Sequence, residues 1–385
     1  MAERPPPPFA LCDAPCRLRE RLYGEAMARP PRRPGSRRFG ALVLAALLAV
    51  GLVALVVVVD RPGEDEPATM PTASLPWPSG VWAGGEFGVE RVTEFAVWRG
   101  TRVDAVTMYP AYETWDELAE SEWHASVYND FEGLLVYGLP LLPKSGGSLP
   151  DVAAGRHDDV WTAVAGHLVS NDRGGSYVRV GLEANGEWFP WGSDADGAED
   201  FRNAFRHVVG VMRTTAPDLR FVFDITCGHP LNGSDGRLDA LTRLYPGDDV
   251  VDVVGCDAYD SYSTRVRSPE DWPDLARPRS APGLLDVVEF ARAHGKQFAV
   301  PEWGLTKSSA DGGGDNAVFI EQMHDFFVEH QADLAFENYF NEPEGYLRSS
   351  VFAPVQNPRA AEAYARLWGS PSTASPDAGP GSEAG

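Results

Sequence analysis

The sequence predicts an α/β protein built on a (β/α)8 barrel, and three observations support this prediction. First, short apolar runs alternate with longer amphipathic stretches over residues 77–368. Second, several of the short runs are continuously apolar, which is typical of parallel strands that are covered on both faces. Third, this region has about 290 residues, which is ordinary for one barrel domain of roughly 250 residues.

The order of the elements leads to the same architecture. Alternating strands and helices favour a parallel barrel. A doubly wound open sheet is the alternative, although no GxGxxG motif follows an early strand. Helical periodicity predicts helices over residues 160–168, 201–213, 284–294 and 319–329. The eight predicted strands cover residues 80–83, 103–109, 134–139, 177–182, 219–225, 250–256, 297–300 and 332–337.

The chain ahead of the barrel predicts a membrane anchor. Residues 40–59 form a run of 20 residues without a polar side chain, about the length that a helix needs to cross a ~30 Å hydrocarbon layer. Residues 1–39 carry nine arginines against four acidic residues. By the positive-inside rule, this tail is expected in the cytoplasm and the barrel outside the cell membrane. A cleaved signal peptide is the alternative interpretation.

The remaining segments outside the barrel have low sequence complexity. Residues 1–39 and 369–385 are predicted to be disordered tails, because both are rich in proline or in small polar residues. Residues 60–76 read as an extended proline-rich linker between the helix and the barrel. The domain order is therefore a cytoplasmic tail, one transmembrane helix, a linker, the barrel and a second tail.

Charge and cysteine content limit the partners and cofactors. The net charge is -23, and since residues 1–39 carry +5, the remainder carries -28. Such a surface repels nucleic acid, so neutral partners such as a polysaccharide or oligosaccharide are favoured. Cys227 and Cys256 either form a disulfide or remain two separate buried thiols. No His/Cys/Asp cluster has zinc-ligand spacing. No metal or organic cofactor is expected, and the oligomeric state stays open, with a monomer favoured.

Two glutamates stand where a barrel places its active site, at the carboxyl ends of the strands. Glu183 follows the fourth predicted strand, and Glu302 follows the seventh, directly after Pro301. Cleavage of a glycosidic bond needs one carboxylic acid to protonate the leaving oxygen and one carboxylate to attack carbon or activate water. Glu183 and Glu302 are therefore the candidate catalytic pair of a glycoside hydrolase.

Polar and aromatic residues around this pair are candidates for sugar binding, since aromatic faces match the apolar faces of pyranose rings and amides bind hydroxyls. Arg179, inside the fourth strand, is expected to form a structural ion pair that supports a carboxylate. Asp257 is expected either to bind sugar or to accept a hydrogen bond from an amide at a strand end. The candidate substrate-binding residues are Asn185, Trp188, Phe189, Trp191, Asp257, Tyr259, Trp303 and Tyr339.

Several motifs of this chain, and the order in which they occur, resemble those of glycoside hydrolase family 26. This is a β-mannanase-type family of the retaining (β/α)8 glycosidases. The motifs are the Glu-x-Asn-Gly-x-Trp-Phe-x-Trp run at 183–191, PLLP at 140–143, FRHVVGVMR at 205–213, YPGDDVVDVVGCDAY at 245–259 and FARAHGKQFAVPEWG at 290–304. The resemblance implies that Glu183 is the acid/base, Glu302 the nucleophile and Tyr259 a hydrogen-bond partner of the nucleophile. Leu182 stands where the family usually has His, so the chain resembles a divergent member.

The expected function follows from the pair and the resemblance together. We expect a membrane-anchored, extracytoplasmic glycoside hydrolase that cleaves a β-linked glycan, a β-mannan or a related β-1,4-glycan, by double displacement. A non-catalytic glycan-binding or cell-envelope scaffold protein on the same barrel is the alternative. Neither the sugar nor endo or exo action follows from the sequence.

Overall fold

The computed structural model describes residues 68–261, 266–308 and 312–369. The predicted tail at 1–39, the transmembrane helix at 40–59, the first half of the linker and residues 370–385 lie outside these ranges. Among the described residues, no helix combines the length and the apolar character that crossing a bilayer requires.

Eight parallel strands close into a barrel, in which each strand pairs with the next and the eighth pairs with the first. This closure confirms the barrel and excludes the open sheet. Every predicted strand is present, but the seventh continues four residues beyond its predicted end at 300 and so contains Glu302. The strands are β1 (Ser79–Trp82), β2 (Ala105–Met108), β3 (Leu134–Leu139), β4 (Tyr177–Val180), β5 (Arg220–Thr226), β6 (Val253–Tyr259), β7 (Gln297–Gly304) and β8 (Leu334–Phe340).

Helices surround the barrel, and the four predicted from periodicity are all present. In α6, for example, Phe201, Phe205, Val208 and Met212 recur at helical spacing and are all buried, which places one apolar face against the sheet. The helices in the described residues are α1 (Gly88–Arg99), α2 (Trp115–Ala119), α3 (Glu122–Ser126), α4 (Leu149–Ala153), α5 (Asp158–Ser170), α6 (Ala198–Thr215), α7 (Asp239–Leu244), α8 (Trp272–Ala276), α9 (Leu284–Ala293), α10 (Ala317–His330) and α11 (Pro358–Trp368).

The barrel interior divides into an apolar and a polar part. Residues near the starts of the strands, such as Val136, Val222, Val253 and Phe336, form a separate buried apolar cluster. Closer to the carboxyl ends, the interior residues Arg179, Asp224, Asp257 and Glu302 are charged and fully buried. Side chains two positions apart on a strand share a face, so Val222 and Asp224 of β5 both face the barrel interior, with the charged residue nearer the carboxyl end.

Glu337 of β8 lies outside the barrel wall, in the layer between the sheet and the helices. Its carboxylate accepts hydrogen bonds from three indoles: Trp77 at 3.3 Å, Trp303 at 2.5 Å and Trp368 at 3.0 Å. Burial raises the pKa of Glu337, and the hydrogen bonds oppose that shift. The carboxylate therefore joins the segment before β1, strand β7 and the end of α11 at one point.

A disulfide joins Cys227 and Cys256, with their Cα atoms 5.5 Å apart. Cys256 belongs to β6, and Cys227 follows β5, so the bond joins two neighbouring strands at the active-site end. The sequence left this pairing open, because apolar runs precede both residues and do not reveal which strand ends become neighbours.

Removing this disulfide is expected to lower the free energy of unfolding. The two cysteines are 29 residues apart in sequence, and closing a loop of that size in the unfolded chain corresponds to about 3 to 4 kcal/mol. Denaturant unfolding of the Cys227→Ser/Cys256→Ser double variant measures the difference. The reduced wild-type protein is the control and should show the same loss; a difference below about 1 kcal/mol in both would contradict the expectation.

Candidate active site

Arg179 of β4 organises the charged end of the barrel interior. Its Nε donates to Asp224 Oδ2 at 2.8 Å, and its Nη2 donates to Asp224 and to Asp257 Oδ2. Its Nη1 donates to Glu302 Oε1 at 2.7 Å. One fully buried guanidinium thus contacts three fully buried carboxylates. The expected ion pair between Arg179 and a carboxylate is therefore present, and it extends to three partners.

Glu302 receives hydrogen bonds at both carboxylate oxygens. Tyr109 donates to Oε1 at 2.5 Å, and Tyr259 of β6 donates to Oε2 at 2.9 Å. The backbone N–H of Glu302 donates to Asp257 Oδ1 at 3.0 Å. Hydrogen bonds and a nearby cation favour the ionised form of a carboxyl group. These partners hold Glu302 in one orientation as a carboxylate.

Electrostatics in the cluster raise the pKa of its other two carboxyls. Burial raises the pKa of Asp224 to about 6 and that of Asp257 well above its usual value, although Arg179 opposes both shifts. Burial alone would lower the pKa of Arg179, but Asp224, Asp257 and Glu302 raise it well above its usual value. Arg179 therefore stays charged, and both aspartates bind a proton more readily than an exposed aspartate does.

The raised pKa of Asp224 predicts that part of the stability is lost as pH rises. The folded protein binds a proton at Asp224 with a pKa of about 6, against 3.8 for an ordinary aspartate. Proton binding then favours folding below pH 4, and this contribution disappears between about pH 4 and 6. One proton changes the free energy of unfolding by at most about 1.4 kcal/mol per pH unit.

Denaturant unfolding of wild-type and Asp224→Asn proteins at several pH values from 3.5 to 7.5 tests this prediction. The free energy of unfolding of the wild type should fall relative to that of the variant as the pH rises from about 4 to 6. A constant difference, or one that grows with pH, would show that Asp224 does not hold this proton.

Glu183 lies in the turn after β4, three residues beyond Val180. Its backbone has a φ of 51°, in the left-handed region that non-glycine residues seldom adopt. The Trp188 indole donates to Glu183 Oε2 at 2.7 Å. The charge of Glu183 also contributes to the raised pKa of Asp224 and Asp257. The turn therefore places Glu183 within electrostatic reach of the Arg179 cluster.

The loop after Glu183 closes on itself and is fixed at several points. Ser193 N donates to Ala184 O at 2.9 Å, and the Trp191 indole donates to Leu182 O at 2.9 Å. A Cβ at Gly192 would lie 1.8 Å from the carbonyl oxygen of Gly186, so this close approach of the backbone requires glycine. The loop is thus a preformed support for Glu183.

Asn185 lies in this loop but uses its amide within the protein. Its Nδ2 donates to the carbonyl oxygens of Thr226 and His229, and its Oδ1 accepts from Thr226 N at 2.8 Å. The amide of Asn185 therefore attaches the loop to the end of β5, and its sugar contact stays a prediction. Trp188, Phe189 and Trp191 are buried in the same loop, with Phe189 stacked on Trp191 at 4.5 Å.

The structure does not bring Trp303 and Tyr339 to the cluster. Trp303 follows Glu302 on β7, so its side chain points to the opposite face of the sheet, where it stacks on Trp368 at 5.2 Å. Tyr339 lies on the same outer side, 4.8 Å from Trp303, and donates to Ser349 O. The expected substrate contacts of these two residues do not agree with this position.

Other aromatic residues lie beside the charged cluster at the ends of the strands. Trp82 at the end of β1 stacks on Phe340 at 5.7 Å and meets the edge of Tyr109 at 5.4 Å. Phe340 also contacts Tyr259. Trp82, Tyr109 and Phe340 end or follow their strands, and this position is the signal that could have identified them from the sequence. For Asp224, the signal is a charged residue within the apolar run of β5.

The site is built for acid–base and nucleophilic chemistry with carboxylates. Among the described residues, no group of three or more His, Cys, Asp or Glu side chains has the arrangement of a metal site. Asp257, a candidate for sugar binding, instead binds Arg179 and the amide of Glu302. Glu183 accepts a hydrogen bond from an indole, and Glu302 accepts hydrogen bonds from a guanidinium and two phenols.

Comparison with known proteins places these features in a family context. A family model described as "Glycosyl hydrolase family 26" matches residues 171–296, which include Glu183, Asp257 and Tyr259 and end before Glu302. Endoglucanase H of Acetivibrio thermocellus is 26% identical over 240 residues, covering 60% of this chain and 24% of that protein. A mannan endo-1,4-beta-mannosidase of Bifidobacterium adolescentis is 29% identical over 149 residues, covering 36% of this chain and 14% of that protein.

The chain therefore spans about a quarter or less of the length of these two relatives.

Solved structures agree in fold. The catalytic domain of a Bacillus sp. JAMB-750 endo-beta-1,4-mannanase matches with a TM-score of 0.54 and 14% identity, covering 76% of this chain and 87% of that one. A Cellulomonas fimi endo-beta-1,4-mannanase matches with a TM-score of 0.51 and 17% identity, covering 69% of this chain and 66% of that one.

Proposed function

We propose that this chain, a divergent member of glycosyl hydrolase family 26, hydrolyses a β-mannan or a related β-1,4-glycan with retention of configuration. The observation that carries the proposal is the unequal environment of its two carboxylates. Arg179, Tyr109 and Tyr259 stabilise Glu302 as an anion, whereas Glu183 accepts a hydrogen bond from the neutral indole of Trp188. An oriented anion suits a nucleophile, and the second carboxyl suits a proton donor.

The first step forms a covalent intermediate. An oxygen of Glu302 attacks the anomeric carbon while Glu183 donates its proton to the glycosidic oxygen. The bond between the anomeric carbon and that oxygen breaks, the shortened glycan leaves with the proton, and a glycosyl ester remains on Glu302. Tyr259 and Arg179 hold the carboxylate in place before the attack.

The second step releases the product. Glu183, now ionised, takes a proton from a water molecule, whose oxygen attacks the anomeric carbon. The ester bond breaks, which restores the carboxylate of Glu302 and the acid form of Glu183. Two inversions at the same carbon give a product with the configuration of the substrate.

Incubation of the full-length protein with β-mannan, glucomannan, mixed-linkage β-glucan and xylan tests the proposal. We expect new reducing ends from mannan or glucomannan, and the β-anomer as the first product seen by proton NMR. An α-anomer formed first would contradict the double displacement. No reducing ends from any of the four glycans would contradict hydrolysis of this substrate class.

A second candidate function has one observation in its favour. Glu183 and Glu302 are both fully buried, so neither side chain is open to solvent in this structure. This burial is compatible with a protein that binds glycan without cleaving it. Calorimetric binding to the same glycans, without new reducing ends, would favour this candidate over the enzyme.

We also propose that the barrel lies outside the cytoplasm on a single N-terminal anchor. The apolar run at 40–59 and the arginines before it support this location. The disulfide between Cys227 and Cys256 supports it independently, because disulfides persist in oxidising compartments. Protease added to intact expressing cells should degrade the barrel. Protection that is lost only after lysis would place the barrel inside.

A further inference from the structure

A small apolar cavity lies beside the two catalytic candidates. Its volume is about 10 Å³, which is room for roughly one group the size of a water molecule or a methyl. Its lining includes Tyr109 after β2 and Leu182, the residue before Glu183. Tyr109 is also the residue whose hydroxyl donates to Glu302 at 2.5 Å. Tyr109 therefore connects the cavity to Glu302 through a hydrogen bond, and Leu182 connects it to Glu183 as the preceding residue of the chain.

Aromatic rings from two loops complete the lining. Tyr112 meets the edge of Trp191 at 5.6 Å, and Phe189 stacks on Trp191 at 4.5 Å. Both Phe189 and Trp191 belong to the loop that supports Glu183, and both line the cavity with Tyr112. The cavity is thus part of the preformed loop structure.

Strand β3 leaves the space open through the absence of a side chain. A Cβ at Gly138 would lie 2.6 Å from the Tyr109 ring and 3.7 Å from a methyl group of Leu182. Gly138 therefore lets Tyr109 lie flat against the strand, with its ring facing the cavity and its hydroxyl directed to Glu302.

The polar atoms of two lining side chains are engaged elsewhere. The Tyr109 hydroxyl is bound to Glu302, and the Trp191 indole donates to the carbonyl oxygen of Leu182. Leu182 itself offers only methyl groups. A sugar hydroxyl placed against these surfaces would lose its water partners without replacement, which costs free energy. A methyl group in the same place would gain from burial.

We propose that this cavity receives a methyl-terminated substituent on the sugar bound at Glu302. The substrate class is then a β-linked glycan with O-acetyl groups or 6-deoxy sugars, which share the methyl group and differ in its attachment. The inference rests on the proposed function, since it assigns the preferred sugar of the same site. Leu182 is the specificity residue, because it supplies aliphatic surface next to Glu183.

Paired substrates test the proposal with the full-length wild-type protein. One pair is acetylated glucomannan and the same polymer after removal of its acetyl groups with mild alkali. The other is 4-nitrophenyl β-mannoside and its 6-deoxy analogue. We expect the methyl-bearing member of at least one pair to have the higher kcat/KM, by about tenfold or more. The pair that shows the preference identifies the attachment.

Two variants at one position link this preference to the cavity. Leu182→Asn should bring the ratio of kcat/KM values for the preferred pair close to one, because an amide can bind a hydroxyl. Leu182→Met is the matched control and should keep the ratio, since it retains the apolar surface. The ratio does not depend on the fraction of folded enzyme, so partial misfolding of Leu182→Asn does not affect the comparison.

Different failures have different meanings. Equal kcat/KM values within both pairs, or a preference for the unsubstituted members, would overturn the assignment of the cavity while leaving the hydrolase intact. A preference that Leu182→Asn keeps unchanged would also overturn it. Absence of turnover on all four substrates, and on the wider glycan panel, would contradict the proposed function itself.

Discussion

Replacing Glu302 with Gln is expected to lower kcat on a β-glycan by about 10⁴-fold or more. An amide cannot form the glycosyl ester, so the first chemical step is lost. Side-chain size is almost unchanged, and Arg179, Tyr109 and Tyr259 still surround the position. Glycan affinity should therefore change much less than turnover. Reducing-end assays give the rate, and isothermal calorimetry gives the affinity.

Glu187→Gln is the matched control for this variant. Glu187 is exposed and lies in the loop after β4, so the same change in charge should leave kcat nearly unaffected. A Glu302→Gln protein that is folded by circular dichroism and retains more than about a tenth of wild-type kcat would contradict the role of Glu302 as nucleophile.

Replacing Glu183 with Ala should lower kcat on a polysaccharide by about 10² to 10⁴-fold, the usual contribution of general acid–base catalysis. The loss should depend on the leaving group. With a 2,4-dinitrophenyl β-glycoside, whose leaving group needs no proton, the first step should proceed and the glycosyl ester should accumulate. Mass spectrometry of the quenched enzyme should detect the added sugar on Glu302.

Sodium azide separates an acid–base role from a structural one. Azide attacks the glycosyl ester without needing a base, so it should restore turnover of Glu183→Ala and give a β-glycosyl azide. A variant whose loss of activity is the same for both leaving groups, and which azide does not rescue, would show that Glu183 supports the loop at Trp188 and does not transfer protons.

The architecture of the barrel could be predicted because it depends on periodicity, and periodicity is local. Eight apolar runs and the amphipathic helices between them give the strand order, and the position of Glu183 just after β4 follows from where an apolar run stops. The boundaries were less accurate. The seventh strand is predicted to end at 300, but it continues to Gly304. Its register shifts between Val300 and Trp303, after which Trp303 pairs with both neighbouring strands and Gly304 pairs with β6.

Trp303 and Tyr339 were predicted to bind substrate because a sequence does not show which face of a strand each residue occupies. Glu302 and Trp303 are adjacent, so in an extended strand they must point to opposite sides of the sheet. A motif that contains both does not show which one faces the barrel interior. The neighbours Tyr339 and Phe340 also point to opposite sides, and their motif does not show which one faces inward. The structure places Phe340 inside the barrel and Tyr339 outside it.

Contacts between distant segments could not be predicted from a single sequence. Tyr109 and Glu302 are separated by 193 residues, and the hydrogen bond between them exists only because β2 and β7 belong to the same closed barrel. The cavity at Leu182 arises in the same way from β3, the β2 loop and the β4 loop. The sequence identified Leu182 as unusual, but the surrounding apolar walls depend on the fold.

The three indoles around Glu337 set the limits for shortening this chain. Trp77 precedes the first strand and Trp368 ends the last helix, yet both donate to the same buried carboxylate. Loss of either one would leave a buried carboxyl with fewer partners, which is costly in a protein interior. An expression fragment cut for crystallisation or assay therefore needs to start before Trp77 and stop after Trp368, even though neither residue takes part in the chemistry.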